Sequence, residues 1–290
     1  MVRTHKGKTA ATALLCLMIC ALLPGCKTTV PEPQGILPMQ ISLLRVGKAD
    51  AIVLQAGEET LVIDAGEEED GEELVTFLTN QGIKRVDTLI ITHFDRDHVG
   101  GADTVVEELE IGQVFLPAYE GSSTEYLDFM EALKEKSILP KNLTEPVEFT
   151  FGDASVLVEP PLSYEVPGKL AEIDNNFSLI TTVVHGEKRF IFAGDAEKQR
   201  IRHWLEEGTV APCDFLKMPH HGVYNSALKD LLEAVKPEFG VICSSNKHPA
   251  DGQTLELLKD QNVQSWQTKD GNVTVISDGS QIEIHQERER

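Results

Sequence analysis

Thr92-His93-Phe94-Asp95-Arg96-Asp97-His98-Val99-Gly100-Gly101 places two histidines and two aspartates within six residues. In front of it, Val86–Thr92 is β-branched and apolar, the pattern of a buried strand. Behind it, two glycines remove side chains where the backbone must turn tightly, and Ala102–Leu109 reads as a helix. His93, Asp95, Asp97 and His98 therefore belong to a strand-to-helix loop. Alternate side chains of an extended loop point one way, so His93, Asp95 and Asp97 can converge, with His98 turning in from the bend. Imidazole with carboxylate suits Zn²⁺ or Mn²⁺, and ligands this dense suit two ions better than one.

Outward from this loop, further strand ends carry candidate groups. Met39–Val46, Ile52–Gln55 and Thr60–Ile63 read as a meander of short strands ending in Asp64-Ala65-Gly66. Asp64 is read either as a carboxylate that orients a metal-binding histidine or as a turn former. Asp174-Asn175-Asn176-Phe177-Ser178-Leu179 opens a strand running to His185, which turns into Arg189–Phe192 and ends at Ala193-Gly194-Asp195. Phe215–Met218 leads into Pro219-His220-His221-Gly222, and Phe239–Ser244 leads into Asn246-Lys247-His248-Pro249. Twin histidines at a strand end beside glycine point to a ligand, and the residues leave open whether His220 or His221 serves. His248 is a candidate for phosphate binding, general acid catalysis or metal ligation.

His-x-Asp-x-Asp-His-x-Gly-Gly resembles the signature of metallo-β-lactamase-fold hydrolases, in the variant with Asp at the third position instead of His. That variant is similar to the hydrolase domain of ComEC-type competence proteins and their secreted relatives. The resemblance runs from about Gln40 to Ile276 and takes in Val46-Gly47 with Asp50-Ala51, Ile63–Gly66, Gly194-Asp195 and Lys217–Gly222. It implies a single-domain four-layer αβ/βα sandwich and two divalent metal ions, Zn or Mn, bridged by Asp195. The first ion would take His93, Asp95 and Asp195, with Asn176 near the position where many relatives carry a histidine. The second would take Asp97, His98, Asp195 and one of His220 and His221. His185 sits at the wrong strand end for a ligand and is read as a turn residue. More oxygen donors at the first ion make Mn²⁺ credible beside Zn²⁺.

The order of elements agrees with this class independently. Strands come first, strands alternating with helices follow, and Gln264–Gln267 with Val273–Ile276 reads as a closing hairpin around Asp270-Gly271-Asn272. The expectation is α/β, with two sheets enclosed by helices over residues 39–290 and a polar, frayed tail after Ile284.

The first 25 residues read as a lipoprotein signal peptide. Arg3, Lys6 and Lys8 precede the apolar Thr9–Leu23, and Gly25-Cys26 resembles a lipoprotein cleavage site. Cys26 would then carry the lipid, with residues 26–38 as a Pro-containing tether. This predicts attachment to the bacterial cell envelope, facing outside the cytoplasm. Cys213 and Cys243 lie in strand-like apolar runs and are expected as buried free thiols.

Removing residues 1–25 takes away three basic residues and no acid, moving the formal charge from −21 to −24. Such a surface repels polyanions, which makes duplex DNA an unlikely partner and a small phosphodiester or a cell-surface polymer the better candidate. Two ions would acidify a water and polarise the electrophile, with Asp97 and His248 as catalytic side chains. A phosphodiesterase is the first expectation. Hydrolysis of a lactam, lactone or other ester, or a metal-binding lipoprotein without catalysis, are the alternatives.

Overall fold

A computed structural model describes residues 35–164 and 173–287. The signal peptide, Cys26 and most of the tether lie outside these residues, as does Pro167. From Ile36 onward the chain is one compact unit.

The first sheet begins with the antiparallel strands β1 (Met39–Leu43), β2 (Ala51–Ala56) and β3 (Glu59–Ala65). It continues in parallel through β4 (Arg85–Ile90), β5 (Glu110–Pro117) and β6 (Lys141–Leu143). Four helices cross between these strands: α1 (Asp70–Asn80), the single turn α2 (Arg96–Val99), α3 (Ala102–Glu108) and α4 (Thr124–Glu135). Ser123 caps α4 by accepting from the Tyr126 amide at 3.1 Å.

The second sheet starts with the antiparallel strands β7 (Val147–Phe151), β8 (Ala154–Glu159), β9 (Ile180–His185) and β10 (Lys188–Phe192). A short turn, α5 (Ile173–Asn176), precedes β9. The sheet then runs parallel through β11 (Phe215–Lys217), β12 (Phe239–Ile242) and β13 (Gln264–Gln267). Its crossovers contain α6 (Lys198–Glu207), α7 (Leu228–Val235) and α8 (Gly252–Asp260). In α7, Leu228, Leu231, Leu232 and Val235 are buried, the spacing that presents one apolar stripe to a sheet.

Three apolar layers follow. One lies between the first sheet and α1–α4, one between the two sheets, and one between the second sheet and α6–α8. Strands such as β3 are covered on both faces, so they read as continuous apolar runs rather than alternating ones. This is the expected four-layer α/β sandwich.

The chain end departs from the sequence reading. Gln264–Gln267 and Val273–Ile276 do not form a hairpin. The 3₁₀ turn Thr268–Asp270 carries the chain from one sheet to the other, and β14 (Val273–Ser277) pairs with β1. Each strand finds an open sheet edge, and edge pairing outweighs the local turn signal. The tail is not frayed as far as Gln286: β15 (Ile282–Gln286) pairs antiparallel with β14, and residues 288–290 lie outside the described residues. Asp174 does not begin a strand but lies in α5.

Candidate metal centre

β4, β10, β11 and β12 all deliver their C-terminal ends to one rim, and the loops that follow carry the candidate ligands. Gly100 and Gly101 make this possible by closeness rather than by unusual dihedrals. Gly100 has a helical backbone, but an added Cβ would lie 2.5 Å from the Glu68 amide nitrogen. At Gly101 it would lie 2.6 Å from the Ala65 carbonyl oxygen. The loop thus packs directly onto the β3–α1 connection.

Asp97, His98, Asp195 and His221 converge, with one ligand atom from each within 4.8 Å of every other. His221 Nε2 is 3.0 Å from Asp195 Oδ2 and 3.3 Å from Asp97 Oδ2. His98 Nε2 lies 3.3 Å from both Asp195 Oδ1 and His221 Nε2. His93 stands beside them, its ring centroid 4.1 Å from that of His98 and its Nε2 3.6 Å from Asp95 Oδ2.

Hydrogen bonds behind the rings fix how each imidazole faces the cluster. His98 Nδ1 donates to Asp64 Oδ2 at 2.8 Å, and His221 Nδ1 donates to the Cys243 carbonyl at 3.2 Å. Thr92 Oγ1 gives its one proton to Asp64, so it accepts from His93 Nδ1 at 3.0 Å. All three Nε2 atoms therefore turn their lone pairs inward when the rings are neutral. His93 Nε2 and Asp195 Oδ1 are buried without a hydrogen-bond partner. Acceptors packed this closely repel one another unless positive charge lies among them.

Titration behaviour expresses the same demand. Burial disfavours charge on His98, yet the Asp195 and Asp64 carboxylates hold its pKa well above the ordinary imidazole range. Burial likewise opposes the charge of Asp195, but His221 and His98 hold its pKa well below the usual carboxylate range. The donor set fits divalent cations, which would take the place of those protons.

Asp64 orients His98 and also accepts from the Thr92 amide at 2.7 Å. It holds φ 59°, a strained setting for a non-glycine residue at a strand end. Of the twin histidines, His221 joins the cluster and His220 does not. His220 Nδ1 faces Glu197 Oε1 at 3.3 Å and its Nε2 lies 3.4 Å from Asn175 Nδ2. Both hold left-handed φ, 46° and 50°, which splays the two rings apart.

Asn176 does not reach the centre; its Oδ1 accepts from the Arg200 amide at 2.9 Å and caps α6. Asn175 lies next to His220 instead: its Nδ2 donates to Glu197 Oε1 at 3.1 Å, and its Oδ1 is buried without a partner. His185 is a buried strand end rather than a turn residue, bonded to Ser277 Oγ at 2.8 Å and the Leu37 carbonyl at 2.9 Å. Cys213 and Cys243 are buried free thiols.

A cavity of about 660 Å³ opens onto Asp97. Lys48, Ser245, Lys247 and His248 line it together with Glu67, Glu69 and Asp70. His248 is thus a residue of the cavity wall, outside the four-residue cluster. Ser245 Oγ accepts its amide at 3.0 Å and its carbonyl accepts the Ser245 amide, so the Ser245–His248 loop is closed on itself. Sequence reasoning passed over Lys48, whose Nζ lies 2.9 Å from Asp97 Oδ2. A lone lysine after a glycine gives no signal of that contact.

A family model described as the metallo-beta-lactamase superfamily matches residues 44–245, and the chain belongs to that superfamily. Two curated relatives place it with the ComEC-type branch. ComE operon protein 3 of Bacillus subtilis (strain 168) is 26% identical over 205 residues, covering 70% of this chain and 26% of the relative. Recombination protein 2 of Haemophilus influenzae (strain ATCC 51907 / DSM 11121 / KW20 / Rd) is 23% identical over 223 residues, covering 72% and 25%. The chain spans about a quarter of the length of these relatives. Among solved structures, the metallo-beta-lactamase fold protein YhfI from Bacillus subtilis superposes with a TM-score of 0.55 at 9% identity, covering 86% of this chain and all of that one. That likeness is one of fold. No described helix is long and apolar enough to cross a membrane.

Proposed function

We propose that this centre is a two-metal phosphodiesterase, taking Zn or Mn, on a protein held to the cell envelope by lipid at Cys26. The observation that carries the reading is the cavity wall: Lys48, Lys247 and His248 stand over Asp97, the one cluster residue that lines the opening. When bound, the ions supply an acidified water and a Lewis acid for the phosphoryl group. His93, Asp95 and Asp195 would hold the first ion, and Asp97, His98, His221 and Asp195 the second. Asp97 orients the attacking water. Lys48 and Lys247 hold the non-bridging phosphate oxygens, and His248 gives a proton to the departing oxygen.

The acidic residues of the same wall, with a chain of formal charge −21 before any processing, disfavour an extended polyanion. A small diester, or one on a surface polymer, needs only the local lysines. Hydrolysis of bis(p-nitrophenyl) phosphate in Mn²⁺ or Zn²⁺ tests the reading. His248→Ala should lower kcat more than it raises KM. Metal binding without turnover of any phosphodiester would assign a binding protein instead, and faster cleavage of duplex DNA at physiological salt would overturn the charge argument. Mass spectrometry of the N-terminal peptide tests the lipid, and an unmodified Cys26 in membrane-extracted protein refutes it.

A further inference from the structure

Beneath the cluster lies a pair of opposite charges that the proposed chemistry does not use. Lys217, the last residue of β11, is fully buried, and its ammonium forms an ion pair with Asp50, which is 1% exposed in the β1–β2 connection. The same Nζ donates to the Gly194 carbonyl at 3.1 Å and stands 3.6 Å from Asp195 Oδ1. That carbonyl also accepts the His220 amide at 3.2 Å. One carbonyl therefore ties the corner that presents Asp195 to the loop that presents His221.

Asp50 completes the arrangement from the other side. Its Oδ1 is 3.6 Å from His221 Nδ1 and its Oδ2 is 3.9 Å from His98 Nδ1. Its amide donates to the Asp97 carbonyl at 3.0 Å, and its carbonyl accepts the Gly66 amide at 2.8 Å. Asp50 and Lys217 thus touch, through backbone or side chain, the elements that present Asp97, His98, Asp195 and His221. Taking two charges out of water is costly, and an apolar pair of similar volume would serve stability as well. The position of the pair directly behind the cluster is what such a pair would not need.

We infer that Lys217 and Asp50 are positioning residues of the metal centre: the ammonium fixes Asp195 and the Gly194 corner, and the carboxylate supports His221 and His98 from the side away from the ions. The inference rests on the two-metal reading. Neither residue touches substrate.

The test is metal affinity, measured by competition with a chelator, beside the melting temperature of the metal-free protein. Lys217→Met alone strands a buried carboxylate, so the informative variant is Asp50→Asn with Lys217→Met, which removes both charges at nearly constant volume. It is expected to fold, with a metal-free melting point near that of the parent, and to bind its tighter ion at least about tenfold more weakly, as loss of outer supports does. An affinity within about twofold of the parent, in a folded double variant, overturns the inference and leaves the metal centre standing. If the double variant does not fold, Asp50→Asn with Lys217→Gln, which likewise leaves neither charge behind, is read by the same two outcomes. A parent chain that retains no ion takes down the two-metal reading, and this inference with it.

Discussion

The two halves of the metal centre are built differently. On the side of Asp97, His98, Asp195 and His221, three of the four residues are buried, and each imidazole is braced through Nδ1 by Asp64 or the Cys243 carbonyl. On the side of His93 and Asp95, only His93 is so placed. The Asp95 side chain is 43% exposed, and His220 is turned onto Glu197 with the Asn175 amide beside it. A site with fewer imidazoles and a more exposed carboxylate holds its ion less firmly, because less of the donor geometry is fixed before the ion arrives. The contrast predicts that the closed half would anchor its ion and the open half would exchange it.

Variants can break this contrast, beginning with the largest effect. Asp97→Ala or His221→Ala should bring hydrolysis of bis(p-nitrophenyl) phosphate to the uncatalysed background and remove the tighter ion, seen by elemental analysis. His220→Ala should leave metal content nearly unchanged; loss of an ion there would show that the histidine swings in and that the two halves are alike. Asp64→Asn leaves an acceptor for Thr92 but removes the anionic partner of His98, and should weaken the tighter ion by about 10- to 100-fold. Stepwise chelation should release the ion beside Asp95 first. Asp95→His should delay that release for Zn²⁺, and release in the opposite order would reverse the assignment of strong and weak halves.

The smallest effect concerns the acidic wall of the cavity beside Asp97. Burial, with the charges of Glu67, Glu73 and Glu69, pushes Asp70 up to about 6 from its ordinary 3.8, against the hydrogen bond it accepts from the Glu67 amide. A folded pKa above the unfolded one means that the folded state binds the proton more tightly. The resulting stability is fully present below about 3.8 and is lost as pH rises through about 6. Asp70→Asn should therefore stabilise the protein by about 1 kcal/mol at pH 7.5, after discounting for solvent at a half-buried group, and by almost nothing at pH 4. A melting-temperature gain that is equal at both pH values would remove the charge explanation.

Much of this centre was legible because it is local. The density of His93–His98 and the repeated placement of Asp195, His220, His221 and His248 after apolar strands mark the rim in the sequence itself. Asp64 was legible only in part: a carboxylate at that strand end reads equally as an orienting group or as a turn former, and its bond to His98 decides between them. The choice between His220 and His221 was not legible, since it depends on left-handed backbone at both positions. Asn175 and Asn176 are adjacent and identical, and only the start of α6 decides which becomes a cap. Lys217 and Asp50 lie far apart in sequence, and each reads locally as a charge flanked by apolar residues. The closing hairpin was misread for the same reason: its turn signal is strong, but the edges that capture β13 and β14 belong to different sheets.

The return of β14 to β1 has a consequence in time. Arg45 and Asn272 meet by a hydrogen bond across 227 residues, so the first sheet cannot close until nearly the last strand has been made. Pairings of such high sequence separation carry a large loop-closure entropy and slow the search for the native state. During synthesis β1 is a strand with an unfilled edge, able to pair with other chains. Closure of the first sheet therefore follows synthesis of β14, and removing β14 and β15 should produce aggregation rather than a smaller folded protein.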